Sequence, residues 1–168
     1  ALKALPQAQR DILYTAWGPP EEDPAVQDGS FAFAALTQGN MLIALQPERG
    51  DVTARDDQYH DLARVPCHGY VAFYLWLRAR QIAALVHMGA HGTLEWLPGK
   101  AVALSQACWP EILLGPCPVI YPFIVNDPGE AAQAKRRLGA VTLGHIPPPL
   151  RSTSLPLSLE RLERLLDE

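Results

Sequence analysis

The distribution of proline constrains the fold of this chain more than any other feature. Sixteen prolines occur in 168 residues, and they leave three long proline-free windows at 25–46, 67–97 and 129–146. Because proline is poorly tolerated inside helices and central strands, most regular structure should lie in those windows. The prolines follow no Gly-x-y period and form no low-complexity run, so they predict fixed turns in a globular protein.

Composition narrows the class of protein. Hydrophobic residues make up 48% of the chain and charged residues 19%, which predicts one domain-sized unit with a buried core. A net charge of −4 argues against nucleic-acid binding, which needs clustered Lys and Arg. No apolar run reaches 18 residues and no signal peptide is visible, so we expect no membrane span. Three cysteines without C-x-x-C spacing favour the reducing cytoplasm.

Local patterns in the first half predict a hairpin, a loop and a helix. The apolar runs 31–36 and 41–45 are separated by Gly39-Asn40, which indicates strand, turn and strand, although the first run would also suit a helix. The polar segment 46–66 has no periodicity and predicts a long loop. Residues 69–79 are apolar on most faces and predict a buried helix.

The second half alternates strands and helices. Residues 83–87 and 119–125 predict strands, with Pro122 marking a bulge or an edge. A helix should begin with Asp127 as its N-cap and end near Gly144. This order predicts an α/β fold, with a short, mostly parallel, Rossmann-like sheet and flanking helices. We expect one α/β unit, divided into an N-terminal helix and turn (1–24), a core (25–150) and a C-terminal amphipathic helix (151–168).

The densest group of chemically active side chains is the run HMGAHGTLEWLPGK at 87–100. Its glycines argue against a continuous helix, so His87 should end a buried strand, His91 should lie in the following loop and Glu95 in a short helix beginning near Thr93. Ligands bind at such strand ends in open α/β sheets, and imidazole with carboxylate suits Co, Ni, Zn or Fe. The alternative is a structural role for both histidines. The run matches a phosphate-binding loop poorly, because six residues separate its glycines and Ala101 replaces Ser or Thr.

Other polar residues are weaker candidates. Asn126 lies at the end of the next predicted strand, and His68 precedes a predicted helix, where a structural role at the helix start is the alternative. Trp96 is a candidate wall for an apolar ligand pocket. The aromatic residues between 70 and 76 have the helical spacing of a core rather than of a cofactor site.

The run at 87–100 resembles the signature of the CobN/magnesium-chelatase large-subunit family. The resemblance continues through Cys108-Trp-Pro110, the run IYPFIVNDPGE at 120–130 and Pro147-Pro-Pro-Leu150, and upstream through Tyr59-His60-Asp61 and the run PCHGY at 66–70. It covers almost the whole chain. Trp96-Leu97 and the run at 121–127 are similar to the cobalt branch, although Gly89-Ala90 departs from the usual residues before His91.

The resemblance implies a function and a set of roles. Family members insert a divalent metal into a tetrapyrrole: here Co²⁺ into a corrin precursor, hydrogenobyrinic acid a,c-diamide, for cobalamin biosynthesis. ATP is hydrolysed by separate AAA+ and adaptor partner subunits rather than by this chain, and since family subunits are much longer we expect this stretch to be inactive alone. The implied catalytic residues are Glu95 and His91; the implied metal ligands are His87, His91, Glu95 and His68; Trp96, Lys100 and Asn126 would contact the tetrapyrrole.

Two other functions stay open at this stage. One is a magnesium chelatase subunit that inserts Mg²⁺ into protoporphyrin IX. The other is a non-catalytic module that binds a tetrapyrrole or a metal.

Overall fold

The structure is a computed structural model that describes residues 2–50, 61–89, 92–122 and 128–144. The predicted helix 151–168, Asp127 and most of the central part of the predicted 46–66 loop lie outside those ranges. The first helix, α1, spans Gln7–Trp17 and is flanked by 3-10 turns at Leu2–Ala4 and Pro20–Glu22. Leu13 of α1 is buried and joins the core.

Two antiparallel hairpins follow α1. Strand β1 (Val26–Gln27) pairs with β2 (Ser30–Phe31), and β3 (Ala35–Gln38) pairs with β4 (Met41–Ala44). The predicted strand at 41–45 is confirmed. The predicted first strand is wrong in its bounds, because 31–36 contains the end of β2 and the start of β3, which continues to Gln38. Gly39 has a φ of +57°, a conformation that favours glycine in the turn.

The central helix, α2, spans His68–Ala79 and confirms the helix predicted at 69–79. Most of its residues are buried, and Phe73 makes an edge-on contact with Phe33 at 5.4 Å between ring centroids. Asp23 holds the start of this helix: its Oδ2 accepts a hydrogen bond from the Gly69 N–H at 2.9 Å. The helix is therefore anchored to the N-terminal region by a carboxylate distant in sequence.

A three-stranded parallel sheet carries the signature run. Strands β5 (Leu85–Val86), β6 (Val119–Pro122) and β7 (Val141–Leu143) are arranged in the order β5-β6-β7. Between β5 and β6 lie a 3-10 turn at Leu94–Trp96 and helix α3 (Trp109–Leu114), and helix α4 (Pro128–Leu138) precedes β7. The α/β fold with parallel pairing is confirmed.

Three details of the sheet differ from the sequence prediction. Helix α4 ends at Leu138, followed by Gly139 with a φ of +62°, and residues 141–143 form β7 instead of extending the helix. The edge alternative for Pro122 is wrong, because β6 is the central strand and Pro122, its last residue, pairs with Leu143. The strand predicted at 83–87 is shorter, at Leu85–Val86, and the prediction that it is buried is wrong, because the Val86 side chain is exposed.

The two faces of this sheet are in different environments. Val119 and Tyr121, two residues apart in β6, share one face of the sheet, and both are buried. On the other face Val86, Val141 and Leu143 are exposed. Tyr121 therefore lies in the core, next to His87 at the start of the signature run. None of the helices in the described part of the chain has the length and hydrophobicity that a bilayer crossing needs.

Candidate active site

The backbone of the signature run is divided between a strand end and a short helix, as predicted. His87 follows β5, and its backbone N–H donates to the Ile120 carbonyl of β6 at 2.9 Å. Glu95 lies in the 3-10 helix Leu94–Trp96, with Thr93 preceding it. The sheet therefore fixes the position of His87, while the short helix returns Glu95 towards the core.

The carboxyl group of Glu95 is buried and its two oxygens are in different environments. Its Oε1 accepts hydrogen bonds from the Gly92 N–H and from the Tyr121 hydroxyl, both at 3.1 Å. Its Oε2 is buried and has no hydrogen-bond partner among the described residues. Burial raises the pKa of Glu95 above its ordinary value, and the hydrogen bonds from Gly92 and Tyr121 oppose that rise.

Gly92 lies between the two candidate side chains. A Cβ placed on Gly92 would overlap Cε1 of the His87 ring and lie 2.7 Å from its Nε2 and 3.1 Å from Oε2 of Glu95. The gap between Nε2 and Oε2 therefore cannot exceed the sum of those two distances. Since one metal ion binds imidazole nitrogen and carboxylate oxygen at about 2.0–2.2 Å each, His87 and Glu95 lie close enough to share an ion after small side-chain shifts.

Helix α4 holds the backbone of the same segment. Arg137 donates from Nη1 to the Glu95 carbonyl at 2.6 Å and from Nε to the Lys100 carbonyl at 3.0 Å. The Trp96 indole N–H donates to Oε2 of Glu130 at 2.7 Å. Two side chains of α4, Arg137 and Glu130, thus hold the 95–100 segment in place.

A second group of hydrogen bonds holds the start of the 3-10 helix. The Thr93 hydroxyl accepts a hydrogen bond from Nε2 of Gln46 at 2.7 Å and shares another with the Tyr70 hydroxyl at 2.8 Å. The Tyr74 hydroxyl donates to Oε1 of the same Gln46 at 2.6 Å. Helix α2 and Gln46, which follows β4, therefore also support the segment.

The remaining predicted site residues are placed as follows. His91 and Asn126 lie outside the described residues. His68 begins α2, where its Nε2 is hydrogen-bonded to the Gly18 carbonyl at 2.9 Å, a position that suits the structural alternative at the helix start. Trp96 is half-buried and Lys100 is exposed. No cluster of three or more His, Cys, Asp or Glu side chains within the described ranges is arranged to hold a metal.

Sequence reasoning missed the residues that support the site. Tyr121, Gly92 and Arg137 each contact Glu95 or its immediate surroundings, yet none was predicted to do so. Of these, only Tyr121 could have been found from the sequence, because it lies two residues after Val119 in a predicted strand and so shares the face that Val119 buries.

Comparison with known proteins shows the family to which this chain belongs. The family model described as CobN/Magnesium Chelatase matches residues 1–168. The chain belongs to the CobN/magnesium chelatase family. A magnesium-chelatase subunit of Chlorobaculum parvum is 38% identical over 160 residues, which cover 94% of this chain and 13% of that protein.

Cobaltochelatase relatives are more similar to this chain. The aerobic cobaltochelatase subunit CobN of Pseudomonas aeruginosa is 52% identical over 165 residues, covering 98% of this chain and 13% of that protein. The solved structure of the catalytic subunit of cobaltochelatase from Mycobacterium tuberculosis is 42% identical, with a TM-score of 0.77, and the match covers 98% of this chain and 15% of that chain. The chain thus spans only 13% to 15% of the length of these relatives.

Proposed function

We propose that this chain is the part of a cobaltochelatase that carries the proton acceptor for metal insertion. The natural enzyme would insert Co²⁺ into a corrin-type tetrapyrrole, with ATP hydrolysed by AAA+ and adaptor partner subunits in the cytoplasm. The greater identity to CobN proteins than to magnesium-chelatase subunits supports cobalt over magnesium. Three free thiols fit a reducing compartment.

The observation that carries the proposal is the asymmetry of Glu95. Its Oε1 is held by two donors, whereas Oε2 is buried and has no hydrogen-bond partner in the described part of the chain. A Cβ on Gly92 would lie close to both Oε2 and the His87 ring, so these two groups are near each other. When the ion bonds to a ring nitrogen, the N–H bond breaks and its proton needs an acceptor. In the proposed reaction Oε2 of Glu95 takes that proton. A pKa raised by burial makes this carboxylate a better base.

The incoming ion is a substrate, and its ligands must release it. We assign His87 and His91 as neutral imidazole ligands and Oε2 of Glu95 as an oxygen ligand that becomes a weak one once it is protonated. His91 would supply the third group that the described residues lack, and would accept a further proton as a catalytic residue. His68 stays a predicted ligand, but its Nε2 is hydrogen-bonded to the Gly18 carbonyl and would have to leave that partner to bind the ion.

The tetrapyrrole would lie over the segment that α4 holds. Trp96, whose indole is fixed by Glu130, would pack against the macrocycle, and Lys100 would meet a substrate carboxylate. Asn126 would contact the same ligand. The assignments of Trp96 and Lys100 follow from the family resemblance and the position of the 95–100 segment, and that of Asn126 follows from the sequence alone.

A substrate panel tests the proposal. The longest natural polypeptide that carries this sequence is assembled with its ATPase partners and offered Co²⁺ or Mg²⁺, each with a corrin precursor or with protoporphyrin IX, and insertion is followed by absorption spectroscopy. We expect ATP-dependent insertion of Co²⁺ into the corrin precursor. Insertion of Mg²⁺ into protoporphyrin alone would establish the magnesium alternative. Binding without insertion of either metal would establish a non-catalytic carrier.

A further inference from the structure

We infer that Tyr121 is a positioning residue for this reaction, holding Glu95 and His87 in one arrangement. The inference rests on the proposed function, because it assigns Tyr121 a role through the proposed base. Tyr121 is fully buried and touches both candidate residues: its hydroxyl donates to Oε1 of Glu95 at 3.1 Å. Its ring meets the His87 ring edge-on, with centroids 4.9 Å apart and planes at 72°.

The sheet explains why Tyr121 is suited to this task. It lies on β6, the central strand, where Tyr121 pairs with Thr142 of β7 and the adjacent Ile120 pairs with Val86 of β5. The Ile120 carbonyl also accepts the backbone N–H of His87. His87 and Tyr121 are thus fixed relative to each other by a backbone hydrogen bond as well as by their rings.

The hydroxyl of Tyr121 determines which oxygen of Glu95 reacts. The terminal torsion of a glutamate is broad and roughly two-fold, so an untethered carboxyl group exchanges its oxygens easily. Tyr121 and the Gly92 N–H both bind Oε1, and Oε2 is then the oxygen that lies near the Cβ position of Gly92, as the His87 ring does. Loss of the hydroxyl removes one of the two tethers, and the carboxyl group then spends less time in the reactive orientation.

Tyr121→Phe isolates the hydroxyl because it keeps the buried ring. In the assembled enzyme we expect kcat for Co²⁺ insertion to fall about tenfold, with KM for the tetrapyrrole almost unchanged. Tyr14→Phe is the control: it removes a tyrosine hydroxyl from an exposed position on α1, outside the candidate site. The control should keep the wild-type kcat.

A double-mutant cycle separates positioning from a general effect on structure. If Tyr121 acts through Glu95, the variant with both Tyr121→Phe and Glu95→Gln should be no slower than Glu95→Gln alone. Multiplicative losses would mean that Tyr121 acts independently of Glu95 and would overturn the inference. An unchanged kcat for Tyr121→Phe, beside a large loss for Glu95→Gln, would overturn it while the proposed function stands. An unchanged rate for Glu95→Gln would overturn the proposed function itself.

A second substitution covers the case in which Tyr121→Phe folds poorly. Replacing Tyr121 with p-aminophenylalanine keeps the ring and restores a hydrogen-bond donor at the same position. We expect it to recover most of the lost kcat relative to Tyr121→Phe. Equal rates for the two variants, at equal unfolding midpoints, would contradict a positioning role.

Discussion

Arg137 donates a hydrogen bond from its guanidinium to the backbone carbonyl of Glu95 at 2.6 Å, and so connects helix α4 to the residue with the candidate catalytic carboxylate. Its second bond, to the Lys100 carbonyl, fixes the other end of the same segment. The site is therefore supported by contacts between elements that are far apart in sequence.

Removal of the Arg137 guanidinium should loosen this segment. Arg137→Met leaves the buried Glu95 carbonyl and the part-buried Lys100 carbonyl without this donor, so we expect the free energy of unfolding to fall by about 2 kcal/mol. Urea unfolding followed by tryptophan fluorescence measures the change. Arg136→Met is the control, because Arg136 is an exposed neighbour on the same helix. Similar losses for the two variants would show that the bonds to the Glu95 and Lys100 carbonyls do not stabilise the fold.

A methyl group at position 92 should separate the candidate ligands. In Gly92→Ala the new Cβ would overlap the His87 ring and crowd Oε2 of Glu95, so His87 must move. We expect the rate of Co²⁺ insertion by the assembled enzyme to fall about 100-fold. Gly129→Ala is the control, since a Cβ on Gly129 meets nothing within 4 Å. An insertion rate in Gly92→Ala equal to that of the control would mean that the close approach of His87 to Gly92 has no part in the reaction.

Burial of Glu95 should make stability depend on pH. Because burial raises the pKa of Glu95 in the folded state, the unfolded chain loses this proton first as pH increases. The contribution of Glu95 to the free energy of unfolding is fully present below the unfolded pKa and is lost as pH rises through the folded pKa. Urea unfolding at a series of pH values should show a steeper decline for the wild type than for Glu95→Gln. Glu111→Gln, at an exposed position, should follow the wild type, and identical slopes for all three would contradict the buried ionisation.

The hydrogen bond from Trp96 to Glu130 should contribute more to the stability of the fold than to binding of the tetrapyrrole. Trp96→Phe keeps an aromatic face but loses the indole N–H that reaches Glu130 at 2.7 Å. We expect the free energy of unfolding to fall by about 1–2 kcal/mol, while affinity for the tetrapyrrole changes little. Trp96→Leu should lower both quantities. Equal tetrapyrrole affinities for the Phe and Leu variants, measured by fluorescence quenching, would exclude Trp96 from the binding surface.

The sequence predicted those parts of the fold that depend on local pattern. Helix α2 follows from the continuous apolar run at 69–79, and the parallel sheet follows from alternating strands and helices. Strand β7 was missed because it has only three residues, and its extended state depends on pairing with β6. Pro122 was misread for a related reason: position in a sheet is set by partners that a single-residue propensity does not contain.

The candidate site also has parts that the local sequence pattern predicts and parts that depend on contacts formed only in the folded chain. The glycines between His87 and Glu95 predicted a strand end, a loop and a short helix, and the structure confirms the strand end and the short helix. Tyr121 lies 26 residues beyond Glu95, and its contact with the carboxylate arises only when β6 forms beside β5. The tight approach of His87 to Gly92 likewise depends on the folded path of the chain.

The claim that Oε2 of Glu95 accepts the ring proton is tested most directly by the rate of Co²⁺ insertion. The assembled enzyme carrying Glu95→Gln is compared with Glu111→Gln, with tetrapyrrole binding measured separately. We expect Glu95→Gln to insert Co²⁺ at least about 100-fold more slowly while still binding the tetrapyrrole, and Glu111→Gln to match the wild type. A wild-type insertion rate in Glu95→Gln would contradict the account.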